Sequence, residues 1–300
     1  MPAPALMVLA TLLFATMGVC VKLASDVYAA SEIVMYRGLV GMATMALLTR
    51  RQGMSLGTKV PGMHVWRSIS GVTSLCLWFY AIGKLPLATA MTLNYMSSVW
   101  MALFLLGGAV LMGASKLDWR LMASVLLGFA GVALILRPTL DQQQLWHGLA
   151  GLVSGMLSAM AYLQVTALGR AGEPELRVVF YFSAGGAIAG ALITAVTEGG
   201  LHAHSVYGAA LLLAVGVFAT AAQVCLTRAY AIGRPLVNAC LQYLGIVFSF
   251  GYGMLLFKDP LTWQATIGML LIIGAGVIAT LLRAKVAPPP KDSQFNPNEG

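Results

Sequence analysis

Tyr80-Ala-Ile-Gly-Lys-Leu-Pro86-Leu87 returns about 150 residues later as Tyr230-Ala-Ile-Gly-Arg-Pro235-Leu236, one residue shorter. Each copy leads into a long apolar stretch, then a short charged turn holding Asp118 or Asp259. An apolar stretch opened by Trp119 or Trp263 follows, and these closing stretches carry Ala130-Gly131-Val132 and Ala275-Gly276-Val277. A hydrophobic half that occurs twice is the pattern of a secondary transporter built from internal repeats.

Outward from the repeat, apolar runs of roughly 20 residues recur from end to end, each long enough to cross a hydrocarbon core of about 30 Å as a helix. The chain is 59% hydrophobic and 9% charged, where soluble domains carry about 25% charged residues. Ten spans are expected, at about 5–24, 32–49, 66–84, 88–112, 118–136, 147–168, 176–197, 206–229, 235–257 and 262–282. Run length points to helices, because barrel strands alternate and need only about 10 residues. The first run follows no Lys or Arg and precedes no small-residue cleavage pattern, so it is expected to stay as a span. Five spans per half is odd, so the two halves face opposite ways. The predicted fold is therefore all-α integral membrane, with ten transmembrane helices as two inverted five-helix repeats. The repeats are residues 1–142 and 143–285, followed by a disordered cytoplasmic tail, 286–300, that opens with Pro288-Pro289-Pro290. Ser31-Glu32-Ile33 and Pro174-Glu175-Leu176 open spans two and seven as a fainter echo of the same repeat.

The net charge of +8 invites a nucleic-acid reading, and its distribution rejects it. With the N-terminus inside, Arg50, Arg51, Lys59, Arg67, Lys116, Arg120, Arg170, Arg177, Arg228, Arg234, Arg283, Lys285 and Lys291 fall on the cytoplasmic side. Lys22, Lys84, Arg137 and Lys258 fall outside, and Arg37 lies within span two. That is a positive-inside bias with both termini cytoplasmic, and no nucleic-acid partner is implied. Cys20, Cys76, Cys225 and Cys240 all lie in predicted spans without CxxC spacing, so no disulfide framework, metal site or cofactor is expected.

Polar residues at helical spacing mark where a solute can sit. Ser154, Ser158, Tyr162 and Thr166 recur every fourth residue in span six. Thr220, Gln223 and Thr227 share a face of span eight, and Asn238, Gln242 and Ser249 one of span nine. Asn94 and Ser98 stack in span four. Polar atoms at membrane depth need partners, so these stripes face other helices or a wet cavity. For Ser and Thr, helix-packing glue is favoured over substrate contact. The primary amides of Asn94, Gln223, Asn238 and Gln242 favour a cavity, having two donors and an acceptor each to satisfy. Arg37 sits in the outer part of span two, where charge is costly; it reads as a contact for an anionic group, with Glu32 as an alternating partner, or as a snorkelling structural arginine. Lys22 is explained by snorkelling. Trp78 and Phe79, with Tyr162 and Tyr243, offer flat surfaces, whereas Tyr80, Trp119 and Trp263 suit the membrane interface. No carboxylate falls mid-span, so protonation coupling would have to use Glu32 or another span-end group.

The ordered set of motifs resembles the drug/metabolite transporter superfamily in its EamA-type branch. It is carried by Glu32…Arg37, His64-Val-Trp-Arg67, Tyr80 through Ala90, Leu93-Asn94-Tyr95-Met96-Ser97-Ser98, Leu241-Gln242-Tyr243 and Gly274-Ala-Gly276-Val277, over nearly all of residues 5–283. That resemblance implies carriage of small metabolites, often outward, through a central cavity between the halves: amino acids, nucleoside- or cofactor-like molecules, or amphipathic compounds. The expected site comprises Arg37, Trp78, Asn94, Ser98, Tyr162, Gln223, Gln242 and Tyr243. The expected setting is the inner membrane, with a small-molecule substrate and the lipid bilayer as partners; a homodimer is allowed but not required. An enzyme is disfavoured, because GxSxG and HExxH are absent and His64, His147, His202 and His204 sit at span ends or in turns. A non-transporting receptor or scaffold is the alternative, and it gives the duplication no purpose.

Overall fold

The computed structural model describes residues 1–111, 119–136, 142–232, 238, 241–259 and 262–286. Among these residues the chain is helical with short connections. The helices are α1 (Ala3–Ala24), α2 (Ala30–Arg51), α3 (Pro61–Lys84), α4 (Leu87–Tyr95), α5 (Ser97–Leu111) and α6 (Trp119–Leu136). They continue with α7 (Gln142–Arg170), α8 (Glu175–Thr197), α9 (Val206–Ile232), α10 (Leu244–Tyr252), a π-helical turn (Gly253–Phe257) and α11 (Trp263–Val286). Five helices are long and apolar enough to cross a membrane by length and composition: α1, α2, α7, α8 and α9. The turns at Lys116–Asp118 and Arg137–Asp141, Arg234, Cys240, the Ser98 side chain and the tail beyond Val286 lie outside the described residues.

Local chemistry sets the helix ends. Proline opens α3 at Pro61 and precedes α4 and α8 as Pro86 and Pro174, where a missing N–H costs nothing. Gly53 (φ 65°) and Gly172 (φ 79°) end α2 and α7 in the left-handed conformation. There the amides of Met54 and Glu173 reach back to the carbonyls of Thr49 and Leu168, at 2.9 and 3.1 Å.

The predicted fourth span is two helices, broken at Met96. The Met96 amide is drawn to the carbonyls of Thr92 and Leu93, at 3.2 and 3.3 Å. The carbonyls of Leu93 and Asn94 lie so close to Gly155 of α7 that a Cβ there would stand 2.7 and 2.9 Å from them. A second interruption falls at Tyr243, between Gln242 and α10.

The bundle is organised by helix pairs: α2 against α8, α1 against α9, α3 against α7 and α6 against α11. Glycine lets backbones meet at these crossings. A Cβ on Gly38 of α2 would stand 2.6 Å from the Ser183 carbonyl of α8, and one on Gly190 of α8 would stand 2.6 Å from the Ser31 carbonyl. Gly131 meets the Gly268 carbonyl of α11 in the same way. Gly155 and Gly190 pack this tightly, while Gly186 makes ordinary contact with Val34 and Val72.

Polarity is arranged inside out. Leu192, Val196, Leu213, Val217, Leu255 and Leu270 point outward and are exposed, while Thr92, Asn94, Ser154, Gln242 and Ser249 are buried. An apolar exterior wrapped around buried polar groups suits lipid as solvent. The protein is a multi-pass membrane protein.

Candidate functional site

A central cavity gathers side chains from seven helices and from Gln242. Its wall includes Thr11 and Phe14 of α1, Arg37 of α2, and Arg67, Gly71, Ser74 and Trp78 of α3. Asn94 and Tyr95 of α4, Ser158 and Tyr162 of α7, Phe182 of α8, and Gln223 of α9 complete it with Gln242. Six of the eight residues expected at a site therefore converge: Arg37, Trp78, Asn94, Tyr162, Gln223 and Gln242. Tyr243 is buried beside the interruption it marks and is not part of the wall. The free volume is about 50 Å³, which is room for one or two waters and none for an organic solute. This is a closed conformation.

Asn94 belongs to a polar network that ties three helices. Its Nδ2 donates to Ser154 Oγ at 3.0 Å and lies 3.3 Å from Ser158 Oγ. Ser158 Oγ meets Ser74 Oγ at 2.7 Å, and Ser74 Oγ lies 2.8 Å from the Ser154 carbonyl. The serine stripe of α7 is thus both packing and wall. Gln223 Nε2 donates to Thr227 Oγ1 at 3.4 Å along α9. Asn238 departs from expectation: its Nδ2 donates to the Ala229 carbonyl at 2.6 Å, holding the end of α9 instead of lining the cavity.

Two buried arginines dominate the electrostatics. Arg37 and Arg67 are 4% and 3% exposed, and their guanidinium carbons lie 5.1 and 4.1 Å from the centre of the Phe182 ring. Among the described residues neither has a carboxylate partner. Arg67 was expected near the cytoplasmic surface as an orientation charge; the structure folds it inward instead. Gly71, one turn along α3, makes this possible, because a Cβ there would overlap Arg67 Nη1 and stand 2.9 Å from Phe182. The missed signal was periodic: Arg67, Gly71, Ser74 and Trp78 share one face of α3.

Each end of the bundle carries a carboxylate tied to histidine. Glu32, fully buried in the first turn of α2, receives His202 Nδ1 at 2.7 Å and lies 3.5 Å from His204 Nε2. It does not partner Arg37. At the opposite end Glu173 lies 3.2 Å from His64 Nε2 and 3.2 Å from Arg177, and accepts from Thr58 Oγ1 at 2.9 Å. Burial pushes the Glu173 carboxyl up, but the hydrogen bonds from Thr58, Arg177 and His64, with the Arg177 charge, outweigh it and leave it below the ordinary value. Lys22, expected to snorkel, donates to the Leu85 carbonyl at 2.9 Å and lies 3.8 Å from Asp259. Asp259 in turn accepts from the Leu87 amide at 3.0 Å, capping α4 from across the bundle.

Residues 1–137 match the EamA-like transporter family. The chain is 32% identical over 278 residues to the pseudopaline exporter CntI of Pseudomonas aeruginosa, covering 90% of this chain and 93% of that one. This chain belongs to the EamA-like transporter family, within the drug/metabolite transporter superfamily. A more distant relative, human solute carrier family 35 member G1, is 24% identical over 91% of this chain and 77% of its own length. A solved crystal structure, 19% identical, superposes with a TM-score of 0.66 over 93% of this chain and 97% of that one, which speaks to the fold alone. The exporter and the solute carrier are transporters by name, and the cavity of this EamA-like protein lies where the helix pairs meet.

Proposed function

We propose that this EamA-like protein is a secondary carrier moving a small organic metabolite outward across the inner membrane by alternating access. Two five-helix repeats, residues 1–142 and 143–285, lie in opposite orientation with both termini cytoplasmic, and Arg37, Trp78, Asn94, Tyr162, Gln223 and Gln242 hold the solute. Arg37 takes an anionic group, and the amides orient the rest.

The observation that carries this reading is the pairing pattern. Exchange each helix for its counterpart in the other repeat: α2–α8 and α6–α11 turn into themselves, and α1–α9 turns into α3–α7. The same exchange sets the break after Leu93-Asn94-Tyr95 against the one at Leu241-Gln242-Tyr243, and each brings an amide to the cavity. A packing related to itself in this way has two equivalent forms, one open to each side. The closed cavity supports the reading as an occluded member of that cycle, and the exporter among the relatives supports the direction.

The test compares metabolites in medium and cells for wild type, Gln242→Leu and empty vector, under several carbon and nitrogen sources. A compound moved outward by wild type and not by Gln242→Leu, at equal membrane abundance, is the expected result. Wild-type profiles equal to vector throughout would reject the carrier. Movement by the variant at wild-type rates would reject the site.

A further inference from the structure

Arg67 adds to the cavity a second positive charge that the sequence did not place there. Both guanidinium groups flank one ring, so their carbons lie within about 9 Å of each other. Contact with an aromatic face compensates a buried cation only in part, and an unpaired charge at membrane depth is costly. The cavity wall holds no Asp or Glu.

The hydrogen-bonding inventory points the same way. Around the cavity, the buried atoms without a partner among the described residues are Arg37 Nε, Arg67 Nε and Nη1, Trp78 Nε1, Gln242 Nε2 and Tyr95 Oη. All but the tyrosine hydroxyl are N–H donors with no accepting capacity. Spare donors on arginine, indole and amide groups suit a solute rich in oxygen acceptors. Planar guanidinium forks bind carboxylate or phosphate through paired hydrogen bonds.

We propose that the cargo is an organic dianion, with two acidic oxygen groups joined by a short spacer, one held by Arg37 and the other by Arg67. This rests on the carrier reading and specifies its substrate class. Cargo binding neutralises both arginines together. Phe182 contacts both guanidinium groups and holds them near one another. Gly71 keeps Arg67 in reach.

The experiment compares anion-exchange mass-spectrometric profiles of medium and cells expressing wild type, Arg67→Gln, Arg67→Lys and Gly71→Ala, with each variant's membrane abundance measured. Compounds exported by wild type are expected to carry at least two carboxylate or phosphate groups. Arg67→Gln is expected to lose their export about tenfold or more, and Arg67→Lys to retain part of it. Gly71→Ala, which leaves every charge in place, is expected to impair the same compounds. A wild-type cargo that is neutral, cationic or singly acidic overturns the dianion while leaving the carrier standing, and so does undiminished export by Arg67→Gln. Should Arg67→Gln fail to reach the membrane, the acid count of the wild-type cargo decides. No exported compound at all rejects the carrier reading, and with it this one.

Discussion

Replacing Glu32 by Ala removes the group that ties the α8–α9 connection to the start of α2. Glu32 receives His202 Nδ1 at 2.7 Å, its second oxygen lies 3.5 Å from His204, and the His202 amide approaches at 3.5 Å. A hydrogen bond to a charged group contributes about 1.5–3 kcal/mol. The two imidazoles are about a third exposed, at 39% and 32%. They rehydrate when released, so the net loss is discounted to about 1–2 kcal/mol. That corresponds to a detached connection populated roughly 5–30 times more often. Hydrogen–deuterium exchange over residues 201–208 reads this population, with the interior of α2 as internal control. The expected result is faster exchange over 201–208 in Glu32→Ala by that factor. His202→Ala should produce most of the same acceleration, and the double variant little more, because the two side chains act as one contact. Unchanged exchange in Glu32→Ala, or full additivity in the double variant, would refute the tie.

Further outcomes are expected. The depressed Glu173 carboxyl contributes stability that is complete above the ordinary carboxylate value and is lost as pH falls through its lowered one. Thermal unfolding of the purified protein should therefore weaken on acidification, whereas Glu173→Gln should be less stable at neutral pH and lack that acid limb. Gly38→Val should cost about 1–3 kcal/mol or prevent folding, because its Cβ meets the α8 backbone. Gly251→Ala, with nothing within 4 Å, should be neutral or stabilising by up to about 1 kcal/mol in the same melting assay. Asn94→Leu should lower the melting temperature, since it strips a bonded amide from Ser154 and Ser158, a loss of about 0.6–1.7 kcal/mol at membrane depth. Gln242→Leu should not, because its buried Nε2 has no partner to lose.

The helical architecture and much of the cavity wall were legible because hydropathy and helical spacing are local properties. Arg37, Asn94, Tyr162, Gln223 and Gln242 are polar atoms in apolar runs, and such atoms turn inward whatever the tertiary detail. Arg67 was not legible, since a basic residue near a span end counts as an orientation charge until Gly71 and Phe182 make room for it. Glu32 was assigned to Arg37 for nearness in sequence, yet residues five apart point about 140° away from each other on a helix. Its true partners, His202 and His204, sit in a connection that only the α2–α8 packing brings near. The break at Met96 hid for a similar reason: no proline announces it, and Gly155, which receives the released carbonyls, lies on another helix.

The glycine contacts between α2 and α8 limit how the molecule can move. With Gly38 seated on the α8 backbone and Gly190 on the α2 backbone, the two helices meet main chain to main chain at both points. Sliding along the axis would drive Met35 or Ala187 into the opposing main chain, whereas turning about the contact keeps both seats filled. The crossing is expected to act as a bearing that turns more readily than it slides. A covalent staple placed across it should therefore be tolerated, while one of equal length at the rim of the bundle should arrest motion.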